Sequence, residues 1–165
     1  MTTKSTEPEP TAPDGLDNRD RLLLRLLQQD GRTTNTELAQ AVGMSESACL
    51  RRVKMLESRG LIERFAAVLD QRAAGFPLSV FVTVTLSAQS GDSLQAFERA
   101  IADIPEVMEC YLMTGDADYL LRLVARDIDD LERIHSTRLT RLAGVVRVNS
   151  SISLRTVVKR GVLPL

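Results

Sequence analysis

Residues 34–60 read T-N-T-E-L-A-Q-A-V-G-M-S-E-S-A-C-L-R-R-V-K-M-L-E-S-R-G, and no other stretch limits the fold so tightly. Thr34 stands three residues before Glu37, the spacing of a capping box that opens a helix. Leu38, Ala39 and Val42 then recur at helical spacing, and Gly43 stands where a left-handed residue ends the helix. Ser45 caps a following helix whose inner stripe is Cys49, Val53 and Leu56, closed by Gly60. A short helix, a glycine turn and a second helix, with the small Ala39 at the crossing, make a helix-turn-helix unit. Its second helix leaves Ser45, Glu46, Ser47, Ala48, Arg51, Arg52 and Lys54 outward, a face that can enter the major groove of DNA.

Geometry suggests distinct tasks for these side chains. Ser45 and Ser47 stand at the positive end of the helix, suited to a phosphate or a base edge. Arg51 suits a bidentate contact to guanine, worth about 1–3 kcal/mol of discrimination. Arg52, Lys54 and Arg32 suit phosphate contacts, which set register without reading sequence. The competing reading is a solvated face, with these cations paired to Glu46 and Glu57; the glycine turn and the caps favour DNA. A net charge of −1 does not oppose that reading, because the charge on one face is what a duplex meets.

Composition removes other classes. A hydrophobic fraction of 44% supplies a globular core, while 4% aromatic residues and no Trp leave no platform for stacking single-stranded bases. Cys49 and Cys110 are too few and too far apart for a disulfide framework or zinc site. No apolar run is long enough to cross a membrane and no signal-peptide pattern opens the chain, so the expectation is a cytoplasmic protein. One histidine, His135, and no phosphate loop or metal cluster argue against an enzyme and against a cofactor.

Residues 1–15 are polar and proline-rich, read as a mobile tail. A helix over 16–29 carries Leu16, Leu23, Leu24 and Leu27 on one stripe, with Gly31 as its expected left-handed cap. This helix joins the two above in a DNA-binding domain over 16–64, with a small wing or strand beginning at Leu61, and 65–77 is a linker. From 78 onward the pattern changes. Strands are predicted at 78–86, 107–114, 119–125 and 145–158, with helices over 93–104 and through Ile128, Leu131 and Ile134. The order β-α-β-β-α-β is the ferredoxin-like arrangement, so the fold class is α+β with a second domain over 78–165. Its helices cover one sheet face only, and a second copy of the chain is the simplest cover for the other.

Several blocks in order carry a resemblance: L-D-N-R-D-R-L-L-L-R-L-L-Q-Q-D-G-R from Leu16, E-L-A from Glu37 and C-L-R-R-V-K-M-L-E from Cys49. E-C-Y-L-M-T-G-D-A-D-Y-L-L-R from Glu109 and L-A-G-V from Leu142 complete it. Over residues 16–165 the chain resembles the Lrp/AsnC family, the leucine- and asparagine-responsive or feast/famine regulators. The resemblance implies an N-terminal winged helix-turn-helix, a DNA motif from Asn35 to Lys54, and a C-terminal domain that oligomerises and senses an effector. It implies homodimers that assemble into octamers, amino-acid effectors, double-stranded DNA as partner, and a place on the nucleoid. It puts the effector region at Gly115, Asp116 and Asp118, with Leu112, Ile128, Ser151 and Ser153.

Chemistry agrees with that turn, since an α-amino group seeks a carboxylate and exposed backbone N–H groups hold an α-carboxylate. Gly-Asp is equally an ordinary hairpin turn, with Asp118 bonding its own backbone. Ala117 occupies a position where relatives often carry a larger residue, and the C-terminal T-V-V-K-R-G-V-L-P-L resembles the leucine-responsive branch, a resemblance that implies leucine or another branched-chain acid. The expected function is a sequence-specific regulator of amino-acid metabolism. The alternatives are an architectural protein that wraps DNA with little sequence preference and, more remotely, a small ferredoxin-like enzyme.

Overall fold

The structure, a computed structural model, describes residues 15–165, so the tail expected over 1–15 falls outside the described residues except for Gly15. The described residues form two compact units: 15–67 together with Val158–Leu165, and Val68–Val157.

The first unit is helical: α1 (Asn18–Gln29), α2 (Asn35–Val42) and α3 (Glu46–Ser58). Each begins on a side-chain cap. Asp17 and Asp20 form a capping box on α1, Thr34 and Glu37 form one on α2, and Ser45 accepts from the Ala48 N–H on α3. Gly43, at φ 63°, takes the left-handed conformation that lets the chain turn between α2 and α3. Leu23, Leu24, Leu38, Ala39, Val42, Cys49 and Leu56 close over one core. Gly31 does not cap α1 as expected, because Asp30 has already left the helix in an extended conformation. A glycine suits position 31 for another reason: the Phe65 ring lies 3.3 Å from where a Cβ would stand.

Residues 61–65, where the sequence predicts a wing or strand, pair in no ladder. The chain's last residues join this unit instead. Leu165 packs against its core, and Gln28 holds the Leu163 backbone from both sides, accepting its N–H at 2.6 Å and donating to its carbonyl at 3.4 Å. Tertiary contact thus groups residues 158–165 with the helices.

The second unit runs β1 (Leu78–Leu86), α4 (Gly91–Ala102), β2 (Val107–Leu112), β3 (Tyr119–Ala125), α5 (Ile128–Thr137) and β4 (Val145–Ile152). The sheet is antiparallel throughout, in the order β2-β3-β1-β4. β2 and β4 are shorter than the sequence predicts, ending at Leu112 and Ile152, where ladder pairing stops. Val80, Val82 and Val84 of β1 and Tyr119, Leu121 and Leu123 of β3 point to one face, where Phe97 and Ile101 of α4 and Leu131 and Ile134 of α5 cover them. The opposite face carries no helix of this unit among the described residues and exposes Phe81 and Tyr111. Gln71 ties residues 68–77 to this unit, its amide donating to the carbonyl of Phe76 at 2.8 Å and to Ser79 Oγ at 3.0 Å.

Candidate functional site

The helix-turn-helix is held by side chains at its crossing. Asn35 at the start of α2 donates through Nδ2 to the Glu46 carbonyl at 2.9 Å, fastening the first turn of α2 to that of α3. Asn35, named above within the DNA motif, thus holds the helix angle. Ser45 Oγ caps α3 at 3.3 Å and lies 3.3 Å from Ser47 Oγ, so both hydroxyls stand exposed at the positive end of that helix.

Arg51 and Lys54 are exposed and form no ion pair among the described residues. Arg32 is exposed too, its backbone N–H donating to Asp30 at 2.8 Å. Arg52 requires a correction: it does not face outward as a phosphate contact. Its Nε donates to Asp20 Oδ1 at 2.5 Å and its Nη2 to the Asp17 carboxylate, with 23% of the side chain exposed. The reason lies in α1, whose capping-box carboxylates are turned toward α3; Asp20 is 2% exposed and requires a cation. Burial pushes the Asp20 carboxyl up. The Arg52 hydrogen bond, the Asp17 N–H and the charges of Arg52 and Arg59 outweigh it and hold the group below its ordinary value. The same bonds raise Arg52. Thus α3 presents Arg51 and Lys54 and spends Arg52 on its own anchorage.

In the second unit the β2–β3 turn closes with Met113 N–H donating to the Asp118 carbonyl at 2.8 Å, and Gly115 at φ 120° makes the reversal that a Cβ would strain. Gly115 and Asp116 are exposed. Asp118 is not, and this is a second correction. Its carboxylate faces inward, accepting the Leu86 N–H at 2.6 Å and Gln89 Nε2 at 2.6 Å, and the residue is 6% exposed. It secures the turn to the end of β1, so the exposed carboxylate of the turn is Asp116.

The other expected effector residues divide by place. Leu112 ends β2 and lines a cleft of about 290 Å³ against α4. Ile128 opens α5 beyond the far end of β3, Ser151 pairs opposite Phe81, and Ser153 donates its N–H to Ser79 at 2.9 Å. The turn and the Ile128–Ser153 end thus lie at opposite ends of β3, roughly 20 Å of strand, and Ser151 stands between them, across β1 from mid-β3. One chain does not bring them together.

Family models match both units: residues 16–63 as a winged helix-turn-helix DNA-binding domain and 79–163 as an Lrp/AsnC ligand-binding domain. The chain belongs to the Lrp/AsnC family. It is 43% identical over 150 residues to the Bkd operon transcriptional regulator of Pseudomonas aeruginosa, covering 91% of this chain and 98% of that one. It is 39% identical over 130 residues to the leucine-responsive regulatory protein of Escherichia coli K12, covering 79% of each chain. A transcriptional regulator of Neisseria meningitidis, solved in complex with L-methionine, shares the fold at a TM-score of 0.85 and 34% identity, over 90% of this chain and 96% of that one. This Lrp/AsnC chain is therefore a transcription regulator, not an enzyme, with a DNA-binding unit and a ligand-binding unit. No helix among its described residues is long and apolar enough to cross a membrane.

Proposed function

We propose that this regulator binds specific promoter DNA through α3 and that a small amino acid, with an apolar side chain such as leucine or another branched-chain acid, alters that binding through the second unit. The observation that carries the DNA reading is the pair of exposed cations Arg51 and Lys54, without an ion pair among the described residues, on a helix anchored by Arg52. Ser45 and Ser47 add hydroxyls at the helix start, and Arg32 adds a nearby cation. The amino-acid reading is supported by the methionine complex of the Neisseria relative and the name of the leucine-responsive one. It is supported too by an open glycine turn with an exposed carboxylate at Asp116. In this reading Asp116 meets the α-amino group, the backbone around Gly115 receives the α-carboxylate, and Asp118 positions the turn.

The same reading extends to assembly. The bare sheet face packs on a second copy, and dimers associate further, to octamers in the fullest form, so that the turn of one chain meets the Ile128–Ser153 end of another. The effector acts by favouring one arrangement of DNA-binding units over another. A gel-shift on DNA upstream of the protein's own gene, titrated with each standard amino acid in turn, tests the reading. We expect at least one apolar amino acid to move the affinity severalfold, and Asp116→Ala to remove that response while binding without effector persists. Equal affinity for promoter and random DNA, with no amino-acid response, would instead support an architectural role.

A further inference from the structure

A winged head carries its second DNA-contacting arm on a hairpin that follows the recognition helix. Here the stretch following α3, residues 61–65, where the sequence predicts a small wing or strand, has no strand partner among the described residues. The space beside it is taken by the end of the chain. Leu163 and Leu165 share one cleft of about 390 Å³ with Ile62, Arg64 and Phe65, and Gln28 fixes the Leu163 backbone through two hydrogen bonds. Leu165 continues into the core beneath. The docked segment therefore has a defined place on the helical unit.

Its chemistry is one-sided. Lys159 and Arg160 directly precede the docked residues, both exposed, and neither has an ion pair among the described residues. Arg64 stands exposed across the cleft in the same condition, and Glu63 is the one acidic residue lining it. Arg64 on the cleft, with Lys159 and Arg160 just before the docked residues, gives three cations with no ion pair among the described residues, suited to a polyanion that also meets α3.

We propose that the docked C-terminal segment serves as a further arm of the DNA-binding unit, with Lys159 and Arg160 contacting duplex phosphates alongside Arg64. This rests on the reading of α3 as the recognition helix. Such contacts hold the duplex without reading sequence, so they appear in the salt dependence of binding. Each phosphate contact adds about 0.9 to the slope of log affinity against log salt.

The test is that slope, measured on one promoter fragment with the full chain. We expect K159A/R160A to lower it by about 1–2 and to weaken promoter and random DNA alike. Leu165→Asp, which undocks the segment while keeping both cations, should lower the slope similarly, with helix content checked by circular dichroism. Arg51→Ala serves as reference, because it should weaken promoter more than random DNA. An unchanged slope in K159A/R160A, with Arg51→Ala still weakening binding, would overturn the proposal and leave the segment as a packing element only. If Arg51→Ala also binds like the parent, the reading of α3 fails with it.

Discussion

The guanidinium of Arg52 meets two carboxylates of the α1 capping box, whereas that of Arg51, one residue earlier, meets none among the described residues. A helical step of 100° separates them, enough to carry one side chain into the α1–α3 seam and leave the other in solvent. The two substitutions should therefore separate stability from binding. Arg52→Ala strands a buried carboxylate and should cost about 1–3 kcal/mol, read as a lower midpoint of thermal unfolding. Arg51→Ala should leave that midpoint in place and weaken promoter binding by about tenfold or more. Equal effects of both on the melt would place Arg51 in the same network. The sequence displays R-R without saying which arginine faces inward, because the deciding partner lies more than thirty residues away. Asp118 repeats the lesson: G-D-A-D offers two carboxylates, and only the return of β1 beside the turn makes one of them internal.

At the scale of the element, the α1–α3 contact links protonation to stability. Asp20 lies below its ordinary value of 3.8 in the folded state, so folding favours its charged form. That contribution is fully present above the ordinary carboxylate range and is lost as pH falls through 3.8 toward the folded value. Urea unfolding at a series of pH values should show the helical unit weakening below about pH 4, with Asp20→Asn flattening this acid limb. An unaltered limb in that variant would assign the acid loss elsewhere. α5 offers the parallel case, where Arg126, through its side chain and backbone N–H, and then Arg133 hold Asp130 well below the usual carboxylate range. The Thr34–Glu37 capping box, the Gly43 end of α2 and the apolar stripes of the first three helices depend on neighbours three or four residues away, which is why they are legible in the sequence. The ends of β2 and β4 were less so, since strand length depends on where a partner strand stops.

For the whole molecule, the bare sheet face is the governing feature. Phe81 is 42% exposed and Tyr111 51%, an apolar surface that a monomer leaves in water. Phe81→Arg should shift the sedimentation coefficient toward that of a single chain and reduce DNA affinity through lost bivalency, with the melt of the helical unit preserved. A mutant that sediments like the parent would remove this face from the interface. The order of strands and helices, the one-sided sheet and the helix-turn-helix were written in the sequence, because each rests on local periodicity and on turn residues at fixed spacing. Tertiary structure alone decided that Arg52 and Asp118 turn inward, that residues 158–165 return to the first unit, and that the expected effector residues stand apart along the sheet. Those outcomes depend on contacts between positions far apart in the chain, where a carboxylate or a leucine is placed by its partner and not by its neighbours.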